Sequence, residues 1–375
     1  MPLTHAELDR AIRAHMQANR IVGLAACRVQ DGDIVWENGF GSANLSAQHP
    51  MTPDTLLNIA SVSKTFTTTA LMQLWEKGRF QLDDPVSGYL PFPVRHPRFD
   101  TPITFRHLLT HTSGIQDSSA YYASYAPGDP TITLREWLEG YLLPGGKYYD
   151  AELNFCTWGP GGDFDYTNVG YGLLGFLVES ISGTPFTRYV REHLFEPLMM
   201  YRSGWLLSEV DQTNHAIPYV YTDDKDSMLK PLFANPADVG TEGPIPLALY
   251  SFPNLSDGLV RTSVREIARY AAAFSVPRYD GIPLRPETMQ TCFTPQIAVR
   301  EVHGSLLGLG LTWFFTPYRE EPSCIKYWGH DGGDPGVNTR LQLSLERRGA
   351  VIIFTNSNHP KESMDTLSEL IWQVE

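Results

Sequence analysis

The stretch Ile59-Ala60-Ser61-Val62-Ser63-Lys64-Thr65-Phe66-Thr67-Thr68-Thr69-Ala70-Leu71-Met72-Gln73-Leu74-Trp75-Glu76-Lys77-Gly78 decides how the chain is read. Val62, Phe66, Ala70 and Leu74 recur at four-residue spacing and outline one face of a helix that Gly78 stops. Ser61 sits at its start. Ser61 and Lys64, three apart, share a helical face within side-chain reach, and free backbone N–H groups at a helix start can meet a developing negative charge. A serine hydroxyl is a weak nucleophile until its proton is removed, and a desolvated lysine can be neutral enough to remove it. Ser-x-x-Lys alone also describes a helix cap followed by a solvated lysine, so the rest of the chain has to choose.

Outward from this helix, the N-terminal side reads as a helix over Thr4 to Ala18, with Leu8, Ala11, Ile12 and Met16 in one stripe. Strands are predicted at Gly23 to Gln30 and Ile34 to Asn38, joined by Asp31-Gly32-Asp33 as a β-hairpin. Beyond Gly78 the composition turns rich in Gly, Pro, Tyr and Asp. Helices are predicted there near Thr104 to Leu109, Thr133 to Tyr141, Tyr171 to Ser180 and Phe186 to Leu194, separated by long surface loops such as Ser118 to Pro130 and Tyr221 to Pro246. Ser263 to Phe274 is a further helix. Strands return at Gly308 to Phe315, Cys324 to Gly329, Thr339 to Leu345 and Val351 to Thr355, and a helix over Glu362 to Val374 follows. Strands at the two ends need each other to make a sheet of more than two or three members. The expected fold class is therefore α+β: an antiparallel sheet built from both chain ends with flanking helices, and a large, mainly helical inserted region. Residues 1–78 and 257–375 would form the sheet-bearing domain and residues 79–256 the inserted one, with the active site in the cleft between them.

Composition narrows the function. The 375 residues carry 29 Lys+Arg against 42 Asp+Glu, a formal charge of -13, which repels nucleic acid and anionic membrane surfaces. No run approaches a membrane span, and Met1 to Arg10 lack the basic start and apolar core of a secretory signal, so cytoplasmic residence is the expectation. Cys27, Cys156, Cys292 and Cys324 are widely spaced, which predicts reduced, buried cysteines rather than disulfides or a metal site.

Two more stretches carry chemistry. In Asp165-Tyr166-Thr167-Asn168, an extended backbone points Tyr166 and Asn168 the same way. A tyrosine near a cation can take or give a proton, and an asparagine amide can hold a substrate carbonyl or a catalytic lysine. In Trp328-Gly329-His330-Asp331-Gly332-Gly333-Asp334-Pro335-Gly336, His330 can carry a proton near neutral pH, and the glycines let a backbone N–H approach a substrate oxyanion or simply make a tight turn. The pair His107 and His111 lacks the glutamate a zinc peptidase needs, and Gly170-Tyr171-Gly172-Leu173-Leu174-Gly175 matches a dinucleotide glycine pattern with no strand before it. Neither a cofactor nor a metal is expected.

Ser61-Val62-Ser63-Lys64, Tyr166-Thr167-Asn168 and His330-Asp331-Gly332 occur in the order and at roughly the spacing of the three motifs of the serine β-lactamase and penicillin-binding-protein superfamily. The pattern resembles its class C branch, which includes D-stereospecific peptidases, amidases and esterases, over about Val22 to Asn356. Phe80 to Val86, His107 to Gly114 and Asp257 to Ser263 add to the resemblance. It implies a β-lactamase/DD-peptidase-like fold and a metal-independent serine hydrolase acting on an amide or ester. Ser61 would be the nucleophile, Lys64 the general base and Tyr166 the proton relay. Asn168, His330 and Gly332 would bind or orient, and backbone N–H groups of Ser61 and Gly333 would form the oxyanion hole. Where β-lactamases carry Lys-Thr-Gly this chain has His330, a shorter and mostly neutral side chain, which favours the esterase, aminopeptidase and amidase members. The expected partner is a small molecule or short peptide with an amide or ester bond. An acyltransferase, a weak β-lactamase or DD-peptidase, and a noncatalytic penicillin- or peptidoglycan-binding sensor are the alternatives.

Overall fold

The structure, a computed structural model, describes residues 3–221, 229–235, 243–276, 283–299, 307–317, 326–359 and 361–374. Nine strands form one antiparallel sheet: β1 (Gly23–Gln30), β2 (Asp33–Asn44), β3 (His49–Pro50), β4 (Ile297–Val299), β5 (Leu307–Leu309), β6 (Phe314–Pro317), β7 (Lys326–Asp334), β8 (Val337–Ser344) and β9 (Gly349–Thr355). Their order is β4-β5-β6-β7-β8-β9-β1-β2-β3, so the two ends of the chain meet at the β9–β1 pair, where Leu24 opposes Thr355 and Gln30 opposes Gly349.

Period-two alternation explains why β1 and β9 read as unbroken apolar runs. Leu24, Ala26, Val351 and Ile353 face one side, packed with Leu8, Ile12 and Met16 of helix α1 (His5–Ala18) and Leu367 and Ile371 of helix α7 (Lys361–Trp372). Ala25, Cys27, Val29, Ala350, Ile352 and Phe354 face the other, where the main core lies. Helix α2 (Ser63–Glu76) runs through that core, and almost all of it is buried, not only the predicted stripe. Its threonines are tolerated because their hydroxyls are returned to polar partners: Thr65 to Val62 O at 2.8 Å, Thr69 to Thr65 O at 2.8 Å, and Thr68 to Thr312. Gly78, at φ +66°, ends the segment.

The middle of the chain supplies α3 (Phe105–Leu109), α4 (Leu134–Leu142) and α5 (Asn168–Ser182), with α6 (Val264–Ser275) packing back onto β9 and β1. Thr104, Thr133, Thr167 and Ser263 cap these four helices through their side-chain oxygens. The glycine pattern at 170–175 lies inside α5, where it allows close packing: a Cβ on Gly172 would sit 1.8 Å from Asn254 Oδ1.

Several boundaries differ from the sequence reading. The single strand expected over Gly308 to Phe315 is two strands, β5 and β6, that pair with each other, because Gly310 to Trp313 turn the chain. The strand leading to His330 does not stop there but continues to Asp334. Within the Ser118 to Pro130 loop lie a one-turn helix, Ser119–Tyr122, and a bridge from Ala126 and Pro127 to Ser251 and Tyr250. Cys27, Cys156 and Cys292 are free and buried; Cys324, and parts of the loop over Tyr221 to Pro246, lie outside the described residues. Among the described residues no helix is long and apolar enough to cross a membrane.

Candidate active site

Ser61 does not open an α-helix directly. It is the middle residue of a 3-10 turn, Ala60–Val62, and α2 begins at Ser63. Ala60 holds φ +46°, a left-handed conformation that costs a non-glycine residue on the order of 1–2 kcal/mol. Neighbours hold it there. Asn58 Oδ1 accepts from Ala60 N at 2.9 Å, Ile59 N donates to Val260 O at 2.9 Å, and Thr339 Oγ1 donates to Ile59 O at 2.7 Å.

One turn on, Lys64 is fully buried. Its Nζ donates to Ser61 Oγ at 3.0 Å, Asn168 Oδ1 at 2.7 Å and the Asp257 carbonyl at 2.8 Å. It also lies 5.0 Å from the Tyr166 ring centroid and 5.5 Å from that of Tyr171. Burial pulls the ammonium below its ordinary value, while the carboxylates of Asp257, Asp117 and Asp334 oppose that fall.

Tyr166 and Asn168 arrive from the inserted region, at the entry to α5. His111, itself in the left-handed region at φ +54°, grips this segment: its carbonyl accepts from Asp165 N at 2.9 Å and its Nδ1 from Thr167 N at 3.1 Å. Its ring stacks on Tyr166 with centroids 4.3 Å apart. Tyr166 Oη is buried and completes no hydrogen bond of normal geometry. Burial drives the phenol well above its ordinary value, and the nearby Ser61 hydroxyl opposes that rise. The Asn168 side-chain oxygen points at Lys64.

His330 sits on β7 with Phe314 and Tyr166 around its ring, at centroid distances of 5.3 and 6.2 Å. Nδ1 donates to the Asp331 carbonyl at 2.6 Å, which leaves Nε2 as an acceptor, buried and unpartnered. Burial first, and the Lys64 charge second, push the imidazole down to about 4. The alternation of β7 sends the Asp331 carboxylate to the opposite face, where it pairs with Arg340 at 2.6 Å. Gly332 is buried beneath the Ser61 turn: a Cβ there would lie 2.2 Å from Thr339 Oγ1 and 2.5 Å from Ile59 O. Gly333 faces the other way, and a Cβ on it would meet nothing within 4 Å.

A cavity of about 450 Å³ opens over Ser61, Tyr166, Asn168 and Gly333, with aromatic walls from Tyr121, Tyr122 and Phe252. His330 and Gly332, grouped by the sequence reading with the substrate-orienting residues, are not among its lining. They stand behind it, because buried packing against Tyr166 and the Ile59–Ala60 turn takes up their cavity-facing sides.

The sequence reading did not single out two carboxylates at the cavity. Asp257 accepts from Tyr121 Oη at 2.6 Å, and burial raises it to about 8. Asp334 accepts from Tyr125 Oη at 2.9 Å and Asn58 Nδ2 at 3.2 Å, and burial raises it to about 6. Asp117, also overlooked, lies against the start of α5. Asp257 falls within a stretch already noted for its resemblance and Asp334 within the one that carries His330, but no local pattern marks Asp117.

The Beta-lactamase family profile matches residues 8–375. The Bacillus subtilis protein PbpX, whose name places it with the penicillin-binding proteins, is 33% identical over 88% of this chain and 69% of its own length. Esterase EstB of Burkholderia gladioli is 32% identical over 57% of this chain and 54% of its own. Among solved structures, the octameric penicillin-binding protein homologue from Pyrococcus abyssi superposes with a TM-score of 0.76 at 27% identity, covering 99% of this chain and 78% of that one. With a profile match over nearly its whole length, and with relatives and fold in agreement, the chain belongs to the Beta-lactamase family, within the serine β-lactamase and penicillin-binding-protein superfamily.

Proposed function

We propose that the protein is a serine hydrolase that cleaves an amide or ester through an acyl-enzyme on Ser61, in a cleft between a sheet-bearing domain (1–78 and 257–375) and a mainly helical inserted domain (79–256). One observation carries the reading: a buried Lys64 amine, depressed by desolvation, stands 3.0 Å from Ser61 Oγ. Lys64 takes the hydroxyl proton as Ser61 Oγ bonds to the carbonyl carbon, and the oxyanion falls to the backbone N–H groups of Ser61 and Gly333, each donor worth about 3 kcal/mol. Both residues line the cavity, which supports this placement. Tyr166, kept protonated by burial, relays a proton to the leaving oxygen or nitrogen as its bond to the acyl carbon breaks. Water then attacks the ester by the reverse sequence. Asn168 orients Lys64. His330 and Gly332 act from behind the cleft, His330 against Tyr166 and Gly332 by letting β7 close over the Ser61 turn.

The cavity size and its aromatic walls suit a small molecule or short peptide with an apolar group beside the reacting carbonyl. The likeness to an esterase and to penicillin-binding proteins fits both ester and amide bonds. A neutral His330 offers no charge to a substrate carboxylate, which places penicillins and C-terminal D-alanine peptides second. Acyl transfer to an alcohol or amine would share the first step.

The test is intact mass after brief incubation with a fluorophosphonate, alongside Ser61→Ala, then turnover of matched p-nitrophenyl esters and D- and L-aminoacyl amides. A single adduct lost in the variant, with turnover of one panel, is the expected result. Folded protein that takes no label and turns over neither panel would leave the noncatalytic sensor as the better reading.

A further inference from the structure

Asp117 is surrounded by donors alone. Its Oδ1 accepts from Thr167 Oγ1 at 3.1 Å, Asn168 N at 3.0 Å and Val169 N at 3.0 Å, and its Oδ2 from Asn168 N at 2.8 Å and Asn168 Nδ2 at 2.8 Å. Such a shell favours the ionised carboxylate against the burial that raises it, and it has no place for an N–H of its own. The consequence reaches Lys64. An asparagine amide can sit either way round, but the Asp117 carboxylate can accept only from Nδ2, so Asn168 Oδ1 is committed to Lys64 Nζ at 2.7 Å. A neutral lysine amine has two N–H groups and one lone pair. Asn168 Oδ1 and the Asp257 carbonyl take the two N–H groups, and the lone pair is left facing Ser61 Oγ.

We infer that Asp117 is a positioning residue that fixes the Asn168 amide and, through it, aims the Lys64 lone pair at Ser61. This rests on the serine-hydrolase reading for its catalytic meaning, but the geometry of Lys64 can be read without turnover. Asp117→Asn would set an NH₂ group against N–H donors whichever way it turned, and would free the Asn168 amide to rotate.

The test is a double-variant cycle of Asp117→Asn and Asn168→Ala. Acylation of Ser61 by a fluorophosphonate is timed by intact mass, and Lys64 ionisation is followed by NMR of protein labelled with 13Cε-lysine. Misaiming the base in Asp117→Asn is expected to slow acylation about 100-fold. Because the effect passes through Asn168, the same replacement in an Asn168→Ala background changes the rate by no more than about twofold. Asp117→Glu, which keeps the acceptors, recovers part of the loss, and the Lys64 titration in Asp117→Asn moves to lower pH because an opposing negative charge is gone. Losses that multiply in the double variant, or folded Asp117→Asn acylated within about twofold of wild type, overturn the inference. If Asp117→Asn does not fold, Asp117→Glu replaces it in the cycle under the same criterion. If wild-type Ser61 takes no label, the hydrolase reading falls, and the NMR decides alone: a Lys64 titration shift in Asp117→Asn that shrinks in the Asn168→Ala background supports the positioning role, and a shift of equal size in both backgrounds, the mark of lost charge alone, overturns it.

Discussion

At His330, burial and the Lys64 charge act in the same direction, so the imidazole is neutral above about pH 4. The base that must lose a proton is Lys64, held below its usual range by burial. Hence kcat/KM for an uncharged ester is expected to rise with pH along one acid limb, with no inflection near 6.5, and His330→Gln should leave that limb in place. A limb at 6.5 that vanished in His330→Gln would show the histidine titrating in the free enzyme. The residues the sequence marked, Ser61, Lys64, Tyr166, Asn168 and His330, lie together in space. Their motifs are local, three or four residues long, and so can be read from spacing. Asp117 and Asp257 were not legible in this way, because what matters about them is an approach across 51 residues to Asn168 and 193 to Lys64. No periodicity encodes that.

Among the elements, β7 divides two glycines that look alike in sequence. Gly332 lies under the Ile59–Ala60 turn with no space for a methyl, whereas a methyl on Gly333 would meet open space. Gly332→Ala is expected to cost about 1–3 kcal/mol of stability through overpacking, seen as a lowered melting temperature. Gly333→Ala should melt within a few degrees of wild type; equal melting losses in both would sink the distinction. The sequence reading gave Gly332 to substrate orientation and the Gly333 N–H to the oxyanion hole, and it left the stretch after His330 open to a tight turn. The strand continues to Asp334, and along it Gly333 lines the cavity while Gly332 packs under the Ser61 turn. The helices were easier to read, since Thr104, Thr133 and Ser263 announce their caps, but the short β5–β6 pair was merged because Gly310 to Trp313 carry no Asn-Gly or Asp-Gly signal.

For the molecule as a whole, buried ionisable groups set how stability answers pH. Asp257 has a folded value near 8, above its usual 3.8, so the folded state holds the proton more tightly, and this contribution is lost as pH rises through about 8. His330 and His215, depressed to about 4 and 3, act oppositely: their contribution is complete above about 6.5 and is lost as pH falls below it. Between pH 6.5 and 8.5 only the Asp257 effect changes among these three. Asp257 should therefore pull the melting temperature down across that window, against an opposing rise from the depressed Lys64, and Asp257→Asn should shift the slope in the positive direction; an unchanged slope in the variant would remove Asp257 as a contributor.

The antiparallel sheet from both ends was legible at this scale because the N-terminal hairpin is too small a sheet to stand alone and needs strands from the far end. That seam also governs how the chain is made. Val22 N donates to Ser357 Oγ across 335 residues, beside the β1–β9 ladder. At translation rates of about 5–20 residues per second, β1 leaves the ribosome roughly 15 to 60 seconds before its partner strand exists. For that interval one edge of an apolar hairpin has no mate, and the nascent chain must be kept from pairing with its neighbours on the same message.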